Sequence, residues 1–178
     1  MNITELKDIC SATCFRFINN ELVYPSKKTN MSFMFVYPTD GFYLTKEQYK
    51  AIFKVIKKYQ GNSYYISDIE FEESFITEGN PNGLGYMHEV FTDFVYDDYI
   101  AQERLFENAL YDIDGKWGIS IFQDFFAIIF GEDEIIREIR SHYSNSNDLI
   151  QLHRFIESTE VTNKKFKNSM LKLLSHSL

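Results

Sequence analysis

The alternation of apolar and polar residues predicts a chain that mixes helices with strands. Residues 3–18 carry apolar side chains at helical spacing, which predicts an amphipathic helix. Residues 31–37 are aromatic and β-branched, and Pro38 with Asp40-Gly41 closes them, which predicts a strand followed by a turn. The stretch between these two elements is rich in turn residues.

The most regular helical pattern runs from about residue 45 to residue 59. Thr45 and Gln48 have the spacing of a capping box, and Gly61 follows the last turn. Apolar side chains form one stripe, and the other side carries five lysines: Lys46, Lys50, Lys54, Lys57 and Lys58. A basic stripe is able to contact nucleic acid, but a solvated helix face is the simpler interpretation.

The middle of the chain interleaves aromatic and acidic residues. Residues 63–77 and 86–96 have the alternation of strands, with a glycine-rich surface loop, 79–85, between them. Residues 98–110 have apolar side chains at helical spacing and predict a short helix.

Two apolar runs, 117–122 and 125–130, are separated by Gln123-Asp124 and predict a β-hairpin that includes Trp117 as a core residue. The remainder predicts three helices at about 132–143, 148–158 and 162–175. The expected fold is therefore α+β: one domain over 1–178, with a mostly antiparallel sheet of about five or six strands, packed helices and a helical C-terminal third.

Composition excludes several classes of protein. Hydrophobic residues make up 44% of the chain and aromatic residues 17%, which disfavours disorder. No run reaches the roughly 18 to 20 apolar residues that a membrane span needs, and the charged N-terminus does not resemble a signal peptide. Cys10 and Cys14 share one helix face and are expected to be buried free thiols, which suits a reducing cytosol. The predicted location is the cytoplasm.

Charge is distributed unevenly along the chain. Residues 61–134 hold 17 acidic residues but only Arg104 and Lys116 as bases, whereas both flanks are net basic. A field of one sign attracts an oppositely charged partner and repels phosphates. The sequence therefore predicts a basic protein as partner and no direct contact with nucleic acid; the alternative is that the acids only solvate the fold. The candidate partner-binding residues are Asp93, Asp97, Asp98, Asp112, Asp114, Asp124, Glu132, Asp133 and Glu134.

The segment Asp112-Ile113-Asp114-Gly115 has the spacing of a phosphohydrolase motif, in which the first Asp is the nucleophile and the second the general acid. Lys116 follows where that motif has Thr or Val, and the remaining 64 residues predict no parallel strands to complete such a site. A simple turn is the favoured interpretation. The histidines show no metal-ligand spacing, so neither a cofactor nor a metal is expected.

Three segments together resemble small bacterial immunity proteins of polymorphic-toxin and contact-dependent growth inhibition systems. They are 107–111 (Glu-Asn-Ala-Leu-Tyr), 114–119 (Asp-Gly-Lys-Trp-Gly-Ile) and 126–131 (Phe-Ala-Ile-Ile-Phe-Gly). The resemblance implies a non-catalytic cytosolic inhibitor that blocks one cognate toxin domain, often a nuclease. The rival hypotheses are a regulatory or scaffolding module and a metal-dependent phosphohydrolase using Asp112 and Asp114.

Overall fold

Ten segments of the chain have a described structure. The computed structural model describes residues 3–18, 21–26, 29–59, 63–68, 87–91, 94–101, 107–123, 125–144, 146–158 and 163–175. For residues 3, 4, 7, 18 and 87–91 it describes the backbone alone.

Helices and strands alternate irregularly along these segments. The helices are α1 (Ile3–Thr13), α2 (Lys46–Tyr59), α3 (Tyr96–Ile100), α4 (Asp133–His142), α5 (Ser146–Glu157) and α6 (Lys164–Leu174). The strands are β1 (Arg16–Ile18), β2 (Glu21–Val23), β3 (Met31–Val36), β4 (Ser63–Asp68), β5 (Met87–Phe91), β6 (Asn108–Tyr111), β7 (Trp117–Phe122) and β8 (Phe126–Glu132). Of the helices in the described ranges, none combines the length and the apolar character that crossing a bilayer requires.

Six strands form one sheet in the order β3-β8-β7-β6-β4-β5, and every neighbouring pair is antiparallel. β1 and β2 form a separate hairpin. Helices α4, α5 and α6 occupy the C-terminal third. The predicted α+β class, the antiparallel sheet of five or six strands and the helical C-terminal third are confirmed.

Both faces of the sheet are buried, each under its own layer of helices. Met34 and Ile119 enter a core formed with α2, α3 and α4, which we call the α2 face. Phe35 and Phe122 enter a second core formed with α1, α5, α6 and the β1–β2 hairpin, which we call the α1 face. Because successive side chains of a strand point to opposite faces, a strand buried on both reads as a continuous apolar run. Because helices cover both faces, all six residues of β7 are buried.

Helix α2 has the cap that its sequence predicts. The Thr45 N–H donates to Gln48 Oε1 at 2.9 Å, and the Gln48 N–H donates to Thr45 Oγ1 at 3.3 Å. This reciprocal pairing satisfies two backbone donors that the helix itself leaves free. The five lysines of α2 are exposed, as expected for a solvated face.

The helix predicted over 98–110 is wrong over most of its length. Tyr96–Ile100 is helical, but Asn108–Tyr111 is a central strand between β4 and β7, and its four residues are buried. Ala and Leu favour helices in isolation, yet cross-strand pairing and burial on both faces decide their conformation here. Residues 102–106 lie outside the described residues.

The first helix is shorter than predicted. It ends at Thr13, and Arg16–Ile18 instead pairs with Glu21–Val23, inside the stretch read as turns. Phe17 thereby packs against Phe122 and Phe166, with ring centroids 5.1 and 4.9 Å apart. These contacts come from distant parts of the chain, so helical spacing alone does not reveal them.

The two predicted strands of the acidic middle are confirmed in part, as Ser63–Asp68 and Met87–Phe91. Residues 94–96 of the predicted strand 86–96 are not part of it, since α3 begins at Tyr96. The remainder of that region, with the predicted loop 79–85, lies outside the described residues.

The predicted hairpin is confirmed, since β7 pairs with β8 from Trp117↔Gly131 to Phe122↔Phe126. Trp117 is fully buried, as expected. In the connecting turn Phe125 has φ of +62°, a conformation that bulky residues rarely adopt.

Helix α1 lies very close to the centre of the sheet. Cys10 and Cys14 are free and buried, as predicted, in the core of the α1 face. A Cβ atom built at Gly118 in β7 would lie 2.3 Å from the Thr13 carbonyl oxygen and 2.7 Å from Cys14 Sγ. Gly118 therefore permits the end of α1 to approach the sheet.

We expect Gly118→Ala to destabilise the protein by about 1–3 kcal/mol or more, because the added methyl group meets backbone atoms of α1. Urea denaturation at neutral pH measures the change. Gly41→Asn is the matched control, since Gly41 has φ of +58°, which Asn tolerates, and no atom lies within 4 Å of its added Cβ. Equal stabilities of the two variants would contradict the close approach.

Candidate functional site: two acidic ends of the sheet

The described candidate residues separate into two groups at opposite ends of the sheet. We call one the Phe125 end; it comprises the β7–β8 turn, the loop 37–45 and α3. We call the other the Glu132 end; it comprises the end of β8, the start of α4, the β6–β7 turn and the end of α2. Helix α2 has 14 residues and is thus about 20 Å long, which separates the ends. Asp93 and Asp124 lie outside the described residues.

The Glu132 end holds a triplet of candidate acids at the start of α4. Glu132, Asp133 and Glu134, together with Thr29, Asn30 and Arg137, line an open depression of about 590 Å³. Two hydrogen bonds hold Asp133 in place. Its N–H donates to the Asn30 carbonyl at 3.0 Å, and its carboxylate accepts a hydrogen bond from Ser32. Acids in a first helical turn also stabilise the helix by interaction with its dipole.

Basic and phenolic groups of α2 engage the same end. Lys58 pairs with Glu138, and the Tyr59 hydroxyl donates to Glu138 at 2.6 Å and to Glu134 at 3.5 Å. The pair with Lys58 holds the pKa of Glu138 below its usual range. The bond to Glu138 raises the pKa of Tyr59 to about 12. Much of the negative charge here is thus matched within the fold.

Asp112 is a buried structural residue of the β6–β7 turn. Its side chain is 2% exposed and accepts the Lys116 N–H at 3.2 Å, while its carbonyl accepts the Gly115 N–H at 3.0 Å. Burial raises the pKa of Asp112, and the backbone donors offset part of that rise. Asp114, by contrast, is 67% exposed and lies 3.5 Å from Lys116 Nζ. This arrangement favours the interpretation of the segment as a turn.

At the Phe125 end, α3 presents Asp97 and Asp98 to solvent. The inner side of the helix carries Tyr99, whose buried hydroxyl accepts the Leu44 N–H at 3.0 Å, and Tyr96, whose hydroxyl donates to the Leu44 carbonyl at 3.2 Å. Burial raises the pKa of Tyr99 well above its usual range, so this hydroxyl stays protonated. The short helix is therefore anchored by its tyrosines while its acids face outward.

The acids at this end are accompanied by exposed apolar side chains. Val95, Ile100 and Phe125 are 43%, 41% and 54% exposed, respectively. The pattern of the sequence does not single them out, since Ile100 falls within the helix predicted over 98–110 and Phe125 within the strand predicted over 125–130. The polar pair Gln123-Asp124 between two apolar runs was the available signal for the turn.

Within the described ranges, no group of three or more His, Cys, Asp or Glu side chains is arranged to hold a metal ion. The chain matches no protein-family model, no curated protein and no solved structure. The resemblance to immunity proteins therefore stays a prediction.

Asp112→Asn tests the role of the buried carboxyl. Because burial raises its pKa above the ordinary 3.8, the folded protein retains this proton to a higher pH than the unfolded chain does. The stability that protonated Asp112 contributes is complete at pH values below its pKa in the unfolded chain. It is lost as pH rises through the pKa of Asp112 in the folded protein. Asn keeps an acceptor oxygen and does not ionise, so Asp112→Asn should gain stability relative to the unmodified protein as pH rises above 3.8 and through the raised pKa of the folded state.

Urea denaturation across that range measures the difference in the free energy of unfolding. Asp114→Asn is the control, because it removes an exposed carboxyl of the same turn and leaves the buried carboxyl of Asp112 in place. A loss of stability in Asp112→Asn that grows with pH would contradict the assignment.

Proposed function

We propose that this protein is an immunity protein that binds a cognate basic toxin domain, such as a nuclease, and neutralises it by blocking the surface that the toxin uses on its substrate. The observation that carries the proposal is the placement of Asp97 and Asp98 on the outward side of a helix that the hydroxyls of Tyr96 and Tyr99 hold in place. Preorganised charges of this kind lose little conformational entropy when a partner binds.

Electrostatics supports the choice of partner. A net charge of −8, with its acids concentrated in residues 61–134, speeds the encounter with a basic protein and slows the approach of polyanions. A nuclease is basic where it grips phosphate, so an acidic inhibitor competes for that groove. Inhibition then requires no chemistry from the immunity protein, only occupation of the groove.

Two alternatives make different demands on the same residues. A regulatory or scaffolding module would use the same exposed acids with a partner that is not a toxin. A phosphohydrolase would need Asp112 as nucleophile, whereas that carboxylate is buried and held by a backbone N–H. Turnover of a generic phosphoester with added divalent metal, abolished by Asp112→Asn, would favour the enzyme.

The proposal is tested with the purified protein encoded by the neighbouring gene. The two proteins should form a complex whose association rate falls by about tenfold or more as salt rises from about 50 mM to about 500 mM, because salt screens attraction between exposed charges. Surface plasmon resonance measures the rates, and a nuclease assay of the partner measures its inhibition.

A complex that leaves the partner fully active would favour the scaffolding alternative. The absence of any complex at the lower salt concentration would overturn the proposal.

A further inference from the structure

Exposed apolar side chains are concentrated at one end of the sheet. Five large apolar side chains of the described ranges are exposed, and three of them, Val95, Ile100 and Phe125, belong to the Phe125 end. The other two are Tyr24, whose ring contacts Phe15 of the α1 face at 5.5 Å, and Ile150 in α5. Exposed apolar groups that cluster beside polar ones are typical of protein interaction surfaces.

Phe125 is held in place by its backbone. Its N–H donates to the Phe122 carbonyl at 3.2 Å, and its carbonyl accepts the Thr39 N–H at 2.8 Å. A φ of +62° suits Gly far better than Phe, so the backbone conformation of the turn does not explain why a Phe occupies this position. The ring, 54% exposed, projects from a fixed backbone.

The loop 37–45 connects this turn with α3. Thr39 bonds to the turn, Asp40 and Tyr43 pair through both backbone groups at 2.8 and 3.1 Å, and the Tyr43 ring lies 5.6 Å from the Tyr99 ring of α3. Burial raises the pKa of Tyr96, and the charge of the exposed Asp40 adds to that rise. Turn, loop and helix are thus linked by an unbroken series of contacts.

We infer that the Phe125 end is the docking surface for a basic protein partner. Phe125 and Ile100 supply apolar contacts, and Asp40, Asp97 and Asp98 supply charges that pair with lysines and arginines around an apolar pocket of that partner. This inference rests on the proposed function and specifies which acids carry it. Aromatic side chains surrounded by polar residues are the usual source of affinity at such surfaces, while exposed charges govern the rate of encounter.

The Glu132 end fits this role less well. At the Phe125 end Asp97 lies 3.5 Å from Lys46 Nζ, so pairing within the chain does not by itself separate the two ends. Acids of the Glu132 end contact Ser32, Tyr59 and Lys116 of the same chain. In the described residues of that end no large apolar side chain is exposed. The acids at the start of α4 also stabilise that helix by interaction with its dipole.

Phe125→Gly is the decisive variant. Gly adopts the positive φ without strain, so the variant should fold at least as stably as the unmodified protein, which urea denaturation checks. Its affinity for the purified protein encoded by the neighbouring gene should fall by about tenfold or more. Ile150→Ala is the matched control, because it truncates a comparably exposed side chain in α5 and should leave affinity unchanged.

A pair of double variants tests the charges. Asp97→Asn with Asp98→Asn should slow association by about threefold to tenfold at low salt, since neutral residues no longer attract a basic partner. Asp114→Asn with Glu134→Gln removes the same charge at the other end and should leave the rate within about twofold, because rim charges away from a contact act weakly.

The outcomes separate this inference from the proposed function. If only Asp114→Asn with Glu134→Gln weakens the complex, the inference is overturned while the proposed function stands. If Phe125→Gly and Asp97→Asn with Asp98→Asn both bind like the unmodified protein, the inference is likewise overturned. If the unmodified protein forms no complex with its neighbour's product, the proposed function fails and the inference fails with it.

Discussion

The burial of both faces of the antiparallel sheet is the constraint on which the rest of the structure depends. Strand β7, at the centre, has no exposed residue, so helices must cover each face. On the α2 face the cover is α2, α3 and α4; on the α1 face it is α1, α5 and α6. Gly118 allows the closest of these approaches, because any side chain there would collide with the Thr13 carbonyl.

This constraint also determines where charge is able to reside. With both faces of the sheet committed to apolar packing, ionised groups must lie on the outer sides of helices or at the ends of strands, where water solvates them. The described candidate acids of the acidic middle lie at strand ends, in turns and at the starts of helices, and therefore at the two ends of the sheet. Buried carboxyls are tolerated where they accept hydrogen bonds: Asp112 accepts the Lys116 N–H, and Asp148 accepts the Tyr37 N–H and the Tyr143 hydroxyl.

The two ends differ in what accompanies their acids. At the Glu132 end, the acids interact with Lys58, Tyr59 and the dipole of α4, which are contributions to the fold itself. At the Phe125 end, Asp97 lies 3.5 Å from Lys46 Nζ with both side chains exposed. There Asp97 and Asp98 stand beside exposed apolar groups on a helix fixed by Tyr96 and Tyr99. Charge alone does not distinguish these situations, because both ends are acidic.

Local patterns in the sequence determined the elements whose stability is largely local. The capping box of α2, its lysine face and the β7–β8 hairpin with buried Trp117 all follow from residue spacing. Tertiary structure alone decided that Asn108–Tyr111 is a strand, because its burial between β4 and β7 outweighs helix propensity. It also decided that one acidic run divides between two ends of a sheet, and that Phe125 projects from a turn. Spacing along a chain records which residues share a face of one element, whereas packing between elements determines which faces meet and which remain open to a partner.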